Sequence, residues 1–406
     1  MIKKRLLGIM TASVMALSLF GTSAMAEEAA ADTAAADTAA VSEDASSDTC
    51  ISYLTGQTVP TSVGRRRPIA VMLSNVTDAL PQYGISGASV VYEAQVEGLL
   101  TRLMGIFEDY DSIDSIGSVR SCRPYYVYYA REFNAIYAHY GQVVYAVPLL
   151  QLDSTANISG LPYGEDGQDY TLRDGSMAFY RTEDRESPHN VFTNASLLND
   201  AIEANGYSTS YAEGYTGHYQ FAAEGTEVNL DNGYIAKVVM PGYTTNHARF
   251  DYNEEEKVYY RSQYGDAHID GATGEQLKYK NIIIQSCPSY MLDDHYYMHD
   301  PVNNGEAGTG WYITNGRAEK ITWQKENWSA DDPIETSVTT VKASWDVREC
   351  DFNVTHYYDE SGNEITLNPG KTWVCIVRND VEGEDNDAGN VLISDNPSVD
   401  SSVIDG

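Results

Sequence analysis

Ser89-Val-Val-Tyr-Glu-Ala-Gln-Val-Glu-Gly-Leu-Leu-Thr-Arg-Leu-Met-Gly-Ile-Phe107 reads as two strands meeting at a turn, because apolar and polar residues alternate on both sides of Glu97-Gly98. Taking Glu97-Gly98 as a two-residue hairpin turn sets the register: Val96 faces Leu99, Gln95 faces Leu100, Ala94 faces Thr101 and Glu93 faces Arg102. Side chains repeat every two residues along a strand, so Glu93, Gln95 and Glu97 are expected on one face, and Glu93 with Arg102 as a cross-strand ion pair.

Before this hairpin, Ile69-Ala-Val-Met-Leu73 is a short apolar run of the buried-strand type. After it, Pro124 suits the first turn of a helix over 124–133, and Ala135-Ile-Tyr-Ala-His139 returns to strand character. Ala195, Leu197, Leu198 and Ile202, with Gly206 behind them, predict a further helix stopped by glycine. From about residue 215 the texture changes to short β-rich runs separated by Gly, Asn and Asp, among them Val238-Val-Met240, Asn281-Ile-Ile-Ile-Gln285 and Thr372-Trp-Val-Cys-Ile-Val377. The expected fold class is α+β with two domains: a mixed α/β domain over 63–210 and a mainly antiparallel β domain over 215–378.

The ends read differently. Lys3, Lys4 and Arg5 precede an apolar run over 6–20 and Ala24-Met-Ala26, the pattern of a secretory signal cleaved after residue 26. The run is shorter than the roughly 20 residues a membrane span needs, so no integral segment is expected after cleavage. Residues 27–62, rich in Ala, Asp, Ser and Thr, are expected to be a disordered tether, and 379–406 an acidic loose tail. With 26 Lys and Arg against 59 Asp and Glu, the net charge of −33 opposes binding to nucleic acid or anionic lipid. The five Cys are too few for a disulfide scaffold; Cys350 and Cys375 are the pair best placed to bridge.

Against that acidic background, Arg102, Arg120 and Arg123 stand close together in sequence. Guanidinium groups are planar, bidentate donors, and three converging would receive a carboxylate or phosphate. The competing reading has each neutralised in a buried network, Arg102 by Glu93 and Arg120 or Arg123 by Glu97 or Glu132. Glu93 and Glu97 lie about 13 Å apart along a strand, too far for the paired acid and base of a glycosidase. His139 and His189, with Asn190 beside the latter, would add hydrogen bonds. Asp293-Asp-His-Tyr-Tyr-Met-His-Asp300 gives only a weak metal pattern, and no metal or cofactor is expected. GxSxG, SxxK and phosphate-loop motifs are absent from the sequence. The 31 Tyr fill half-buried positions for the most part, with a few available to line a groove.

Arg67-Pro-Ile-Ala-Val-Met-Leu-Ser-Asn75, Val91-Tyr-Glu-Ala-Gln-Val-Glu-Gly98, Ile116-Gly-Ser-Val-Arg-Ser-Cys-Arg-Pro-Tyr125, Ser187-Pro-His-Asn-Val191 and Leu367-Asn-Pro-Gly-Lys-Thr-Trp373 resemble the exported YerB-like family. That family's N- and C-terminal domains carry no assigned function. The resemblance implies a two-domain envelope protein, commonly a lipoprotein. This chain departs from the pattern in lacking a lipobox and in having His139-Tyr-Gly-Gln in place of a more glycine-rich turn. The expected function is a binding or accessory module for an anionic or polyhydroxylated ligand, such as a wall glycan or peptide. Glu93, Glu97, Arg102, Arg120, Arg123, His139, His189 and Asn190 would form its site. The alternatives are an envelope hydrolase or transferase with a His general base, and a scaffold for a membrane-protein partner.

Overall fold

The structure, a computed structural model, describes residues 48–163, 171–292, 297–299, 308–329, 331–339, 344–381 and 390–404. Its backbone is one sheet of twelve strands, and the strands come from both halves of the chain. In spatial order the main path runs Tyr234–Ile235, Arg317–Lys325, Gly308–Thr314, Asn281–Met291, Thr372–Val381, Val90–Gln95, Thr101–Phe107, Ile69–Ser74, Ile136–His139 and Asn157–Ser159. The N-terminal part is mixed, since Ile69–Ser74 pairs antiparallel with Thr101–Phe107 and parallel with Ile136–His139. The C-terminal part is mainly antiparallel, as its alternating sequence predicts.

Thr372–Val381 joins the two parts. It runs parallel to Asn281–Met291 on one side and to Val90–Gln95 on the other, with Cys375 opposite both Ile284 and Glu93. Strands buried on both faces read as continuous apolar runs, which explains why Ile69-Ala-Val-Met-Leu73 and Thr372-Trp-Val-Cys-Ile-Val377 lack alternation.

Each face of the sheet has its own core. Met72, Tyr92, Ala94 and Met104 lie on one face, against the helix Pro124–Glu132 with Tyr125, Tyr126 and Tyr129. The rings of Tyr92 and Tyr129 stack at 4.9 Å, a contact worth about 0.5–1.5 kcal/mol beyond burial. Leu73, Val91, Leu103 and Trp373 lie on the other, under the helix Ala195–Ala204 and a six-stranded antiparallel sheet that includes Arg249–Asn253 and Val258–Gln263. Both predicted helices form, one with Pro124 in its first turn as expected and the other capped by the Asn194 side chain, which accepts from the Leu197 N–H at 2.9 Å.

Several expectations need correction. The tether ends earlier than residue 62: Thr49–Ile51 pairs with Thr58–Pro60, Leu54 is fully buried, and Ser52 Oγ donates to the Glu108 carboxylate at 2.8 Å. Bulk composition hid Ile51, Tyr53, Leu54 and Val59 at the end of a polar stretch. The tail is not loose throughout, since Leu392–Ser394 adds to the smaller sheet beside Val238–Met240. Arg249 clasps the chain just beyond that strand, donating to the carbonyls of Val399 and Pro397 at 2.6 and 2.7 Å. All five cysteines are free thiols, so Cys350 and Cys375 are not bridged. The signal sequence, residues 382–389 and most of the 293–300 metal pattern lie outside the described residues.

Candidate functional site

The hairpin forms, but its turn is one residue longer than the two-residue reading. The Val96 N–H donates to the Leu100 carbonyl at 2.7 Å, leaving Glu97, Gly98 and Leu99 in the loop. Gly98 and Leu99 take positive φ of 64° and 59°. A two-residue turn of the commonest type would force positive φ on Glu97, whereas here Gly98 takes the first left-handed position. The extra residue shifts the pairing, so Ala94 faces Arg102 and Glu93 faces Leu103. A slip of one residue moves a side chain to the opposite face. Glu93 and Arg102 are therefore not an ion pair, and they enter different cores. Glu97 sits in the turn and shares no strand face with Glu93.

On the Trp373 face, Glu93 is fully buried and saturated. One carboxylate oxygen accepts from Thr101 Oγ1 at 2.8 Å, Asn246 Nδ2 at 2.8 Å and Asn75 Nδ2 at 3.2 Å. The other accepts from Arg261 Nη2 at 2.8 Å and Trp373 Nε1 at 3.2 Å. The Arg261 guanidinium lies 4.4 Å from the Trp373 ring centroid and donates to Gln263 Oε1 at 2.9 Å and to His268 Nδ1. His268 Nε2 donates to Gln82 Oε1 at 2.6 Å, and the Gln82 amide donates in turn to the Ser74 carbonyl at 2.8 Å. Only a neutral imidazole protonated at Nε2 fits both neighbours. Burial, reinforced by the Arg261 charge, pushes its pKa far below the usual histidine value. This knot is closed to solvent and ties the two halves together.

On the helix face, the arginines gather at the N-terminus of the Tyr-rich helix. Tyr126 Oη donates to the Arg102 carbonyl at 2.7 Å and Tyr125 Oη to the Gln95 carbonyl at 2.6 Å, which docks the helix onto the hairpin. Arg102 Nη1 donates to the Ser121 carbonyl at 2.6 Å, and Arg123 Nη1 to the Cys122 carbonyl at 2.8 Å. Arg123 Nε pairs with Glu97, as the neutralised reading expected for that residue. Arg120 is half-buried and reaches the Pro188 carbonyl at 3.4 Å. Burial, followed by the charge of Arg123, pulls Arg102 down to about 9, and the same two causes lower Arg120. Partial burial works to raise the Glu97 carboxyl, but the Arg123 bond and the neighbouring positive charges outweigh it and hold the group low.

His189 joins this cluster because Val191–Thr193 pairs with Ile116–Gly117, bringing 186–190 over Arg120. Its pKa is lowered by partial burial and then by the Arg120 charge. His139 does not face the cluster. It is fully buried, its Nδ1 meets the Gly141 carbonyl at 2.9 Å, and burial lowers it to about 4, so it supports the loop beneath Cys122 and cannot serve as an accessible base. Asn190 is spent on its own hairpin, accepting from Arg181 Nη1 at 2.6 Å and donating to the Thr182 carbonyl at 3.1 Å. Burial pushes the Cys122 thiol up to about 12, which leaves no nucleophilic thiolate.

Two groups of residues escaped the sequence reading. Arg185 braces the cluster's flank, donating to the Ala79 and Pro81 carbonyls at 2.7 Å each. Arg261, Gln263 and His268 complete the Glu93 knot. Their signal was an arginine between Tyr259 and Gln263 at inward positions of an alternating strand. Among the described residues, no group of three or more His, Cys, Asp or Glu is placed to hold a metal ion, and no helix is long and apolar enough to cross a membrane.

Similarity to known proteins falls along the same division. Residues 54–208 match the N-terminal domain, and 236–336 the C-terminal domain, of a protein of unknown function designated DUF3048. A Bacillus subtilis (strain 168) protein named "Putative lipoprotein YerB" is 27% identical over 342 residues, covering 82% of this chain and 89% of that one. The crystal structure of YerB from Bacillus subtilis superposes with a TM-score of 0.63 at 26% identity, covering 85% of this chain and 99% of the other.

Proposed function

Because this chain belongs to the family built from the DUF3048 N- and C-terminal domains, with the protein named "Putative lipoprotein YerB" among its relatives, we propose that it is an envelope-associated binding module. Its ligand would carry a carboxylate or phosphate, as a wall glycan or peptide does. One observation carries the reading. Arg102, Arg120 and Arg123 lie within Coulombic reach of one another, and Arg123 pairs with Glu97. Backbone carbonyls of Ser121, Cys122 and Pro188 orient the guanidiniums without cancelling their charge. Like charges held together in this way favour an incoming anion, which would relieve their mutual repulsion.

Binding of the purified chain to wall fragments, with Arg120→Ala and Arg123→Ala beside the parent, tests the proposal. Each substitution should weaken binding about tenfold or more, the value of a charge-assisted hydrogen bond. Equal binding by parent and variants would reduce the cluster to a packing feature.

A further inference from the structure

The other end of the Tyr-rich helix carries a second cationic group in a different setting. Arg131 lies in the last helical turn, its guanidinium stacked 3.5 Å from the Phe352 ring centroid. Its Nη1 is buried without a hydrogen-bond partner, and no side-chain bond or ion pair of this guanidinium occurs among the described residues. The helix C-terminus favours a cation there, which accounts for the charge but not for the missing acceptor. Arg67 lies nearby, and among the described residues its guanidinium donates to the carbonyls of Asn134 and Ser208, at 2.5 and 3.4 Å. A buried donor without an acceptor costs about 1–3 kcal/mol, more for a charged group.

Both arginines line a cleft of about 240 Å³ between the two halves of the chain, together with Ser154, Tyr215, Glu326 and Glu349. Glu132 also borders it, but its carboxylate is taken by Lys325 Nζ at 2.5 Å and His218 Nε2 at 3.1 Å. Glu326 and Glu349 are exposed and make no ion pair among the described residues. The lining therefore offers an Arg131 guanidinium whose Nη1 lacks an acceptor, an Arg67 guanidinium held by carbonyls, and two carboxylates without an ion pair among the described residues. A plain anion would meet the glutamates, and a plain cation the arginines. At 240 Å³ the space lies below the ~300–1,000 Å³ of drug-sized sites.

We propose that this cleft binds a small zwitterion of amino-acid or dipeptide size, its carboxylate on Arg67 and Arg131 and its ammonium group toward Glu326 and Glu349. The ligand would bridge residues from both halves. This site is separate from the Arg102 cluster and does not depend on that cluster's function.

Calorimetric titration of the full chain tests it with alanine, alanyl-alanine, alanyl-alanine amide, N-acetyl-alanyl-alanine and inorganic phosphate. Alanine or alanyl-alanine should bind. The amide and Arg131→Gln should each weaken binding about tenfold or more, and the N-acetyl form and Glu349→Gln several-fold. Glu349 is exposed, so Glu349→Gln should leave the fold unchanged and examine the site alone. Failure of both alanine and alanyl-alanine to bind, equal affinity for the amide, or unchanged affinity in Glu349→Gln would each overturn the proposal. Phosphate binding as tightly as alanyl-alanine would do so too, by making the cleft a simple anion site.

Discussion

The two faces of the Val90–Gln95 and Thr101–Phe107 pair hold charge in opposite ways. On one, Arg261 meets the carboxylate of Glu93, which also accepts from Asn75, Thr101, Asn246 and Trp373. On the other, three arginines are arranged around Glu97 and a set of carbonyls. The first arrangement leaves neither carboxylate oxygen without donors and is sealed. The second brings three guanidiniums within Coulombic reach of one another, and Arg120 remains half-exposed. Buried ion pairs contribute little net stability but are costly to break, whereas like charges held close together repel one another. The difference separates a residue set that fixes the fold from the one we propose receives a ligand.

The largest test is to break the sealed face. Glu93→Ala would strand Arg261 in the core, and chemical denaturation should register a loss of roughly 3–5 kcal/mol, a large part of a domain's stability. Acid should act more gradually, and on both faces, since His268 belongs to the sealed knot while His139 and His218 pack on the helix side. Burial holds His139 and His218 at about 4 and His268 far below its usual value, so all three stay neutral when folded but take up protons when unfolded. The unfolded state binds more protons below about pH 6.5, so stability is fully present above that pH. It falls toward pH 4 by up to ~1.4 kcal/mol per pH unit for each histidine. A flat denaturation midpoint across that window would contradict the buried neutral assignment. Trp373→Phe removes one donor to Glu93 and should cost about 1 kcal/mol in the same assay. Arg120→Ala, at the open face, should change stability by no more than about 0.5 kcal/mol while reducing ligand binding. A stability loss like that of Glu93→Ala would show that the two faces do not differ in kind.

The sequence made the strands and both helices legible where one local rule sufficed. Ile69-Ala-Val-Met-Leu73 read as a buried strand, and Pro124 marked a helix start. What it concealed was register and distant partnership. Gly98 admits a two- or a three-residue loop, and that single ambiguity decided whether Arg102 met Glu93 or the Tyr-rich helix. The partner of Glu93 lay in a strand assigned to the other domain, marked only by an inward arginine. For the candidate site, the clustering of Arg102, Arg120 and Arg123 survives folding. His139 and Asn190 are drawn off by local backbone demands that no spacing pattern exposes.

The joining strand has a consequence for the order of events as the chain is made. Val90–Gln95 and Asn281–Met291 are both synthesised well before Thr372–Val381, the strand that lies between them. Until that last strand emerges, each presents an open edge with unpaired amides and carbonyls, the kind of surface through which chains pair with one another. Closure also requires contacts of very long sequence separation, which slow folding. A chain interrupted before residue 372 would therefore hold two unfinished sheets, and what it lacks is the seam.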